Sequence, residues 1–487
     1  MPFHPDYVRL VLDENFEDAK ALFLTPLMAI EYAHLAMLVE RGLVPRGDAR
    51  KIRGALDAID LDAIRRVRYD GSYEDLFFYL ERQVSAACGD DIAGHLHTAR
   101  SRNDIDMTLY RMLVRTWLLS LTDGLLDLRA VLIELARSHR DTIFPAHTHT
   151  QPAQPTTLGH YFLAAIEQAE RDTIRLLAAF ATVNRNPLGA CAITGTGFAI
   201  DRARTSALLG FSGPTGNTYG SIAAADYLLE SAAGVQVALV GLGRLVQDLL
   251  LWCTREVGYL RLPDGLVQTS SIMPQKRNPV PLEHARALAS KAFGQALAIP
   301  IAVHNTPFGD IVDTEDDLQP LVATMFKDAN RAVRLVAMAL GAAQFDVARM
   351  RERATSGWVT VTELADALAR DHGLSFRMAH ALATAVVSRV GESSTATGTS
   401  ISDAIAAASQ TLSGREIRLS DAELARVLSP EHFVAVRRTW GGPAPEIVGA
   451  ATDAATAALE DDRAKIARIR EQITASAVEL KSAVAAI

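Results

Sequence analysis

Three long runs without internal proline constrain this chain more than any other feature. From Ile105 to about Arg140, Leu109, Met112, Leu113, Leu119, Leu126 and Leu132 recur at helical spacing, with Gly124 as the one suspect position, which predicts a single long helix. A second run begins near Thr157, sets Leu158, Phe162 and Ile166 on one face, and continues towards Phe180. The third, from Ser221 to Trp252, covers about 32 residues and would span on the order of 48 Å as a helix. It is apolar nearly all round, so it belongs inside a bundle or at a subunit interface, and an oligomer is the expectation. Its most apolar part, VALVGLGRLVQDLLLWC (237–253), carries Arg244, Gln247 and Asp248, which argues against a membrane span.

No sustained alternation of β-branched and polar residues accompanies these runs, so the predicted fold is all-α, with three mainly helical domains around a central long-helix bundle. Denser charge and shorter helices before residue 103, and a mixed region after 350, divide the chain into an N-terminal helical domain (1–103), the bundle (104–350) and a C-terminal helical domain (351–487). GESSTATGTSIS (391–402) reads as a surface linker. The formal charge of −8 comes without a basic tract, and so no nucleic acid partner is expected. Cys88, Cys191 and Cys253 are far apart and odd in number. With a start that lacks a secretory pattern, this points to a reducing, cytoplasmic setting.

Three polar stretches punctuate the helices: GHLHTARSRND (94–104), HTHTQPAQP (147–155) and TSSIMPQKRNPVPLEHAR (269–286). Each adjoins the end of a long helix. Were they to converge, their Ser, His, Lys, Arg and Asn side chains would form an anion site with acid–base capacity.

These stretches resemble motif blocks of the fumarase/aspartase superfamily, and within it the argininosuccinate lyase family. SSIMPQKRNP is similar to the superfamily's GSSxMPxKxNP loop, HTARSRND to the lyase's HTGRSRND, and THTQPAQP to its THLQxAQP. NPLGACAITGTGFAIDR (186–202) and TELADAL (362–368) resemble two further blocks in the same order. The resemblance implies three helical domains, a homotetramer through the central bundle, and active sites shared between subunits. It also implies reversible anti β-elimination of an N-substituted aspartate to fumarate and a free amine.

In that chemistry a proton leaves a carbon beside a carboxylate, and the site must stabilise the charge that develops there. The resemblance makes Ser270 the base, with Lys276 as the cation that renders its alkoxide accessible. It makes His149, paired with Glu283, the group that assists protonation of the leaving amine. Ser101, Arg102, Asn103 and Thr148 would hold the succinyl carboxylates, together with Gln151, Ser271, Met273 and Asn278. Bland alternatives stand beside each role: Ser270 and Ser271 as a turn pair, Asn103 or Asp104 as a helix cap, Glu283 as an ordinary acid in a first helical turn after Pro281. His95/His97 and His147/His149 have ligand-like spacing but lack cysteines or well-placed acids, and no metal or other cofactor is expected.

Departures from the family pattern fall on the amine side. EDLF (74–77) has Phe77 where a histidine is usual, AVHNTPFGDIVDTEDDLQ (302–319) has Thr314 and Asp317 for glutamine and lysine, and NTYGSIAAAD (217–226) lacks an Asp–Arg pair. Such losses alter recognition by several kcal/mol. The added Asp310, Asp313 and Asp317 favour a cationic, diamine-like portion. Ethylenediamine-N,N′-disuccinate or a similar aminopolycarboxylate is therefore the favoured substrate, with argininosuccinate as the alternative. A silent crystallin-like oligomer, which would keep the fold without the chemistry, is disfavoured by the retained Ser270, Lys276, Asn278, His149 and Glu283.

Overall fold

The computed structural model describes residues 3–391 and 398–487. In chain order, the elements used below are α1 (Leu24–Glu40), α2 (Leu76–Cys88), α3 (Arg102–Ser138), β1 (Ile143–Thr148), β2 (Gln151–Thr157), α4 (Leu158–Val183), α5 (Asp226–Trp252), β3 (Leu260–Arg261), β4 (Gln268–Thr269), β5 (Arg277–Asn278), α6 (Val280–Val303), α7 (Gln319–Gly341), β6 (Gln344–Phe345), α8 (Val361–His372), α9 (Pro430–Ala435) and α10 (Pro445–Ala485). Helices α3 to α7 pack side by side as an elongated bundle, and α10 lies along α1, α3 and α4.

The first predicted helix is one unbroken element, and Gly124 is not a flaw in it. A Cβ there would stand 2.8 Å from Asn330 Oδ1, so glycine lets α7 approach closely. The third predicted helix differs from expectation. Thr218–Ala223 is a separate short helix capped by Asn217, Ala224 is extended (φ −84°, ψ 119°), and α5 starts at Asp226. An acid in the first turn favours that start. α5 is long and apolar enough to cross a membrane, yet it packs against α4 and α6, with Asp248 accepting a hydrogen bond from Tyr161 (2.7 Å). Val237, Val240 and Leu251 remain exposed on it.

HTHTQPAQP, read as a loop, is the tip of an antiparallel β1–β2 hairpin. His149 and Thr150 form the two-residue turn with φ of +50° and +63°, the left-handed geometry that hairpins of this length use. Ile143 at its base packs with Ala354 and Val434, and Gln154 Nε2 donates to Thr362 Oγ1 (3.1 Å).

A second core, built on Leu364, Leu368, Leu382, Val386, Ile405 and Leu424, is separate from the bundle core. The last helix leaves this unit and returns to the bundle, so 351–487 does not pack as one body. Its anchor is Arg129, fully buried, which donates to Asp462 (2.6 Å) and Thr173 (3.3 Å) and pairs with Glu170 (3.4 Å). Of the predicted linker, 398–402 opens the helix Gly398–Ser413, and 392–397 lies outside the described residues.

Candidate active site

Helix α3 has 37 residues and a length of about 55 Å. Its first turn lies beside the end of α4, where Arg111 donates to Thr182 O (2.9 Å), and beside the start of α5, where the Arg111 guanidinium covers the Tyr227 ring. Its last turn leads into the β1–β2 hairpin. There Trp252, at the end of α5, meets Phe144 and Tyr161 at 5.1 and 4.9 Å between ring centres. The three polar stretches therefore divide between two ends and do not converge within one chain.

At the first end, Ser101 caps α3 in an extended conformation and Asp104 answers as the acid of the capping box. The cap is Ser101, not Asn103 or Asp104. Asn103 Nδ2 donates to Ala192 O (3.1 Å). Arg102 Nη1 donates to Glu74 (2.6 Å) and Asp75 (2.9 Å), and its Nε lies 3.8 Å from Asp106. Tyr110 donates to Asp316 (3.0 Å), which brings the 304–318 segment onto the same end.

Burial, then neighbouring carboxylates, raise the Asp106 pKa well above its usual value, and burial raises those of Asp75 and Asp316. Burial and then Asp310 push Glu315 up to about 8. Burial alone would lower the Arg102 pKa, but the bonds to Glu74 and Asp75 and the field of Asp106 outweigh it. Among the described residues, Arg102 is the only cation that forms an ion pair with Glu74, Asp75, Asp106, Asp310, Glu315, Asp316 or Asp317. Seven carboxyl groups thus gather at this end around one paired cation, and those whose pKa is raised hold their protons more tightly than usual.

The substituted residues sit otherwise than expected. Phe77 is buried beneath the Arg100 guanidinium and against His97, and Thr314 is buried with its hydroxyl on Ile311 O (3.0 Å). Of the three positions only Asp317 is exposed. The acids that gather at Arg102 come instead from EDLF, from the helical neighbour Asp106, and from TEDD (314–317). The i to i+4 spacing of Arg102 and Asp106 was a readable signal; the long-range contribution of Asp316 had none.

At the second end, Thr148, His149 and Gln151 are exposed on the hairpin tip. The Ser270 loop is pinned between paired strands β4 and β5, with Gln268 opposite Asn278. Arg277 anchors it to Asp264 and to Leu262 O (2.8 Å). Ser270 Oγ accepts from the backbone N–H groups of Met273 (3.1 Å) and Ile272 (3.4 Å). That is the bland turn reading, and it is also chemistry, because amides aimed at a hydroxyl oxygen favour its deprotonated form. Lys276 N donates to Met273 O (2.9 Å) to close the turn, while Ser271, Met273 and the Lys276 side chain face solvent. Glu283 is exposed in the first turn of α6, with Pro281 at the helix start.

The first HxH pair has other engagements: His97 Nδ1 meets Glu81 (2.8 Å), and His95 lies 3.8 Å from Asp48. Among the described residues no group of three or more His, Cys, Asp or Glu is arranged for a metal ion.

Comparison with known proteins bears on both ends. The family profile described as Lyase matches residues 30–294, and that described as Argininosuccinate lyase C-terminal matches 358–435. Argininosuccinate lyase 2 of Agrobacterium fabrum is 42% identical over 98% of this chain and 95% of its own length. The argininosuccinate lyase of Methanoculleus marisnigri is 38% identical over 87% and 85%. Among solved structures, an EDDS lyase variant with bound fumarate superposes with a TM-score of 0.86 at 30% identity, covering 99% of this chain and 96% of that one. A class II fumarase from Schistosoma mansoni, at 16% identity, TM-score 0.65 and coverage of 85% and 90%, shares the helical-bundle fold.

Proposed function

The chain belongs to the argininosuccinate lyase family and is a carbon–nitrogen lyase that releases fumarate; we propose that it works as a homotetramer with sites assembled from both ends of different copies, and that the amine it releases carries a second positive charge. Separation of the two ends supports shared sites. Ser101–Asn103 and Ser270 lie at opposite ends of a bundle about 55 Å long, so a second copy running the other way brings one end of each together. The apolar side chains left exposed on α5 and α6, Val237, Val240, Leu251, Leu297 and Ile301, are the surface such copies would cover.

In this reading Ser270, held by two amides on the same loop as Lys276, removes the proton beside the carboxylate. Ser101, Asn103, Thr148, Gln151, Ser271, Met273 and Asn278 bind the two carboxylates, while the Arg102 guanidinium, already bonded to Glu74 and Asp75, organises the acids of the first end, and His149 with Glu283 protonates the departing amine. Charge is conserved in the cycle: the C–N electron pair leaves with nitrogen while the C–H pair becomes the new double bond of fumarate.

The observation that carries the amine assignment is the carboxylate excess around Arg102. A unit charge about 5 Å from one carboxylate gains about 3 kcal/mol at an effective dielectric near 20, so a second ammonium is selected and a distal carboxylate is repelled. That ranks an aspartate N-substituted by a diamine above the two substrates that the sequence brings forward. Ethylenediamine-N,N′-disuccinate releases a second amine but also two further carboxylates, and argininosuccinate releases arginine with one.

Measuring kcat/KM for N-(2-aminoethyl)aspartate, ethylenediamine-N,N′-disuccinate and argininosuccinate tests the ranking. The expected order is as written. Efficient argininosuccinate cleavage with no turnover of the diamine derivative would assign the chain the ordinary arginine-forming reaction.

A further inference from the structure

The block NPLGACAITGTGFAIDR has no part in the chemistry above, yet one carboxylate fastens it to the first end. Asp104 is fully buried. Its Oδ1 accepts from Ser101 N (2.9 Å), and its Oδ2 accepts from Gly189 N (2.7 Å) and Cys191 N (2.9 Å). Both loop donors stand in left-handed backbone, at φ +89° and +53°. At Gly189 a Cβ would meet Arg202 Cγ at 2.7 Å and Ile200 Cδ1 at 2.8 Å, so only glycine turns that N–H inward without displacing its neighbours. One residue further, the Asn103 amide donates to Ala192 O (3.1 Å), while its Oδ1 accepts from Ser101 Oγ (3.1 Å). From behind, Arg202 donates to Leu188 O (2.9 Å) and Pro187 O (3.1 Å). On its other side the turn is held by Arg100, buried and 2.7 Å from Glu31.

A capping box uses one oxygen of its acid. Here the second oxygen serves a different segment, some 85 residues on in sequence, which capping alone does not require.

We propose that Asp104 is a positioning residue for carboxylate recognition: it clamps the 189–192 loop against Ser101–Asn103, and the clamped loop fixes the orientation in which the Asn103 amide and Ser101 hydroxyl meet a substrate carboxylate. The proposal rests on the reading that Ser101 and Asn103 bind a succinyl carboxylate. Its physical content is preorganisation. With Ala192 O holding one amide hydrogen and Ser101 holding the amide oxygen, Asn103 has a single orientation and one N–H left to offer. Freed from the clamp, the amide rotates and the loop carbonyl withdraws, so affinity for the dicarboxylate falls, while the acids that gather at Arg102, none of which lies on the 189–192 loop, stay in place.

The test uses the intact enzyme. Asp104→Asn keeps the size of the side chain but points an NH2 group at backbone N–H donors. Inhibition by succinate should weaken about tenfold or more, as expected for a buried donor left unpaired. KM for fumarate in the addition direction should rise in parallel, with KM for the amine changed by less than about threefold. Amide hydrogen exchange at residues 189–192 should accelerate. Unchanged succinate inhibition in a variant whose loop exchanges faster overturns the clamp, and so does an equal rise in both KM values. Asn103→Ala separates the two levels of the argument: if it leaves succinate inhibition unchanged, the recognition reading falls and the clamp with it; if it weakens inhibition and Asp104→Asn does not, the clamp alone falls. Should Asp104→Asn fail to assemble, the wild-type enzyme decides, because succinate must slow exchange at Gly189 and Cys191, and no slowing overturns the proposal.

Discussion

The hydroxyl oxygen of Ser270 accepts the backbone N–H of Met273 at 3.1 Å, and with Ile272 a second amide points at the same atom. Two donors, with no acceptor for the hydroxyl proton among the described residues, stabilise the alkoxide relative to that of an unassisted serine. Ser270→Ala is therefore expected to lower kcat at least about 1,000-fold, the usual consequence of losing a group that acts in the transition state. Helix content and assembly size should not change. Fumarate absorbance and a sizing column measure both, and retention of a tenth of wild-type turnover would remove Ser270 from the role of base.

Because Ser101–Asn103 and Ser270 lie at opposite ends of the bundle, variants at the two ends should complement each other. Asn103→Ala and Ser270→Ala are each expected to be nearly inactive alone. Co-refolded, they form hybrid oligomers in which some sites unite an intact first end with an intact second end, and activity returns. Hybrids that stay inactive although mixed assembly is shown by mass would mean that each site draws both ends from the same copies, which the length of α3 does not allow.

The sequence made the long helices plain, because Leu109, Leu119 and Leu126, or Leu158, Phe162 and Ile166, state a helical period that proline never interrupts. It did not announce the break before Asp226, where SIAAAD is as good a helix former as its neighbours and the interruption comes from packing. Nor did it announce the hairpin, since Pro145, Pro152 and Pro155 hide the alternation that marks a strand. The candidate site can be read only as residue types, in which Ser270, Lys276, His149 and Arg102 carry the proposed chemistry. Their distribution between two ends was not legible, for it depends on helix length and direction. The acid pocket was half legible. Asp317 stood out in the sequence, yet it is Asp316 that meets Tyr110, a contact across about 200 residues that no local pattern encodes.

Arg129 and Asp462 tie the C-terminal helix to the bundle at 2.6 Å with the guanidinium fully buried. Removing one partner of a buried pair leaves an uncompensated charge and costs about 3–5 kcal/mol. Asp462→Ala is expected to lower stability by that amount in denaturant unfolding. The double variant Arg129→Met/Asp462→Leu, which removes both charges and keeps the volume, should cost less. Equal losses for the two variants would mean that packing of α10, rather than the ion pair, supplies the stability.

The last prediction concerns the pH dependence of amine recognition. Burial, followed by the adjacent Asp310, holds the Glu315 carboxyl protonated up to about pH 8. The sign follows from linkage. A carboxyl raised from 4.5 to about 8 contributes stability that is fully present below pH 4.5 and is lost as the pH rises through 8. The wild-type protein should therefore lose stability relative to Glu315→Gln over that interval. Binding runs in the opposite sense, because a cation prefers the ionised carboxylate and must displace the proton below the pKa. A probe that neither reacts nor titrates isolates this effect. For 1,2-bis(trimethylammonio)ethane as a competitive inhibitor, the inhibition constant should fall as the pH rises from about 6 to about 9, by at most tenfold per unit below the pKa. In Glu315→Gln the dependence should shrink to what Asp75, Asp106 and Asp316 supply, since the amide cannot ionise. A flat profile in the wild-type enzyme would show that the dication does not meet Glu315, and the acidic end would then lose its claim to the amine.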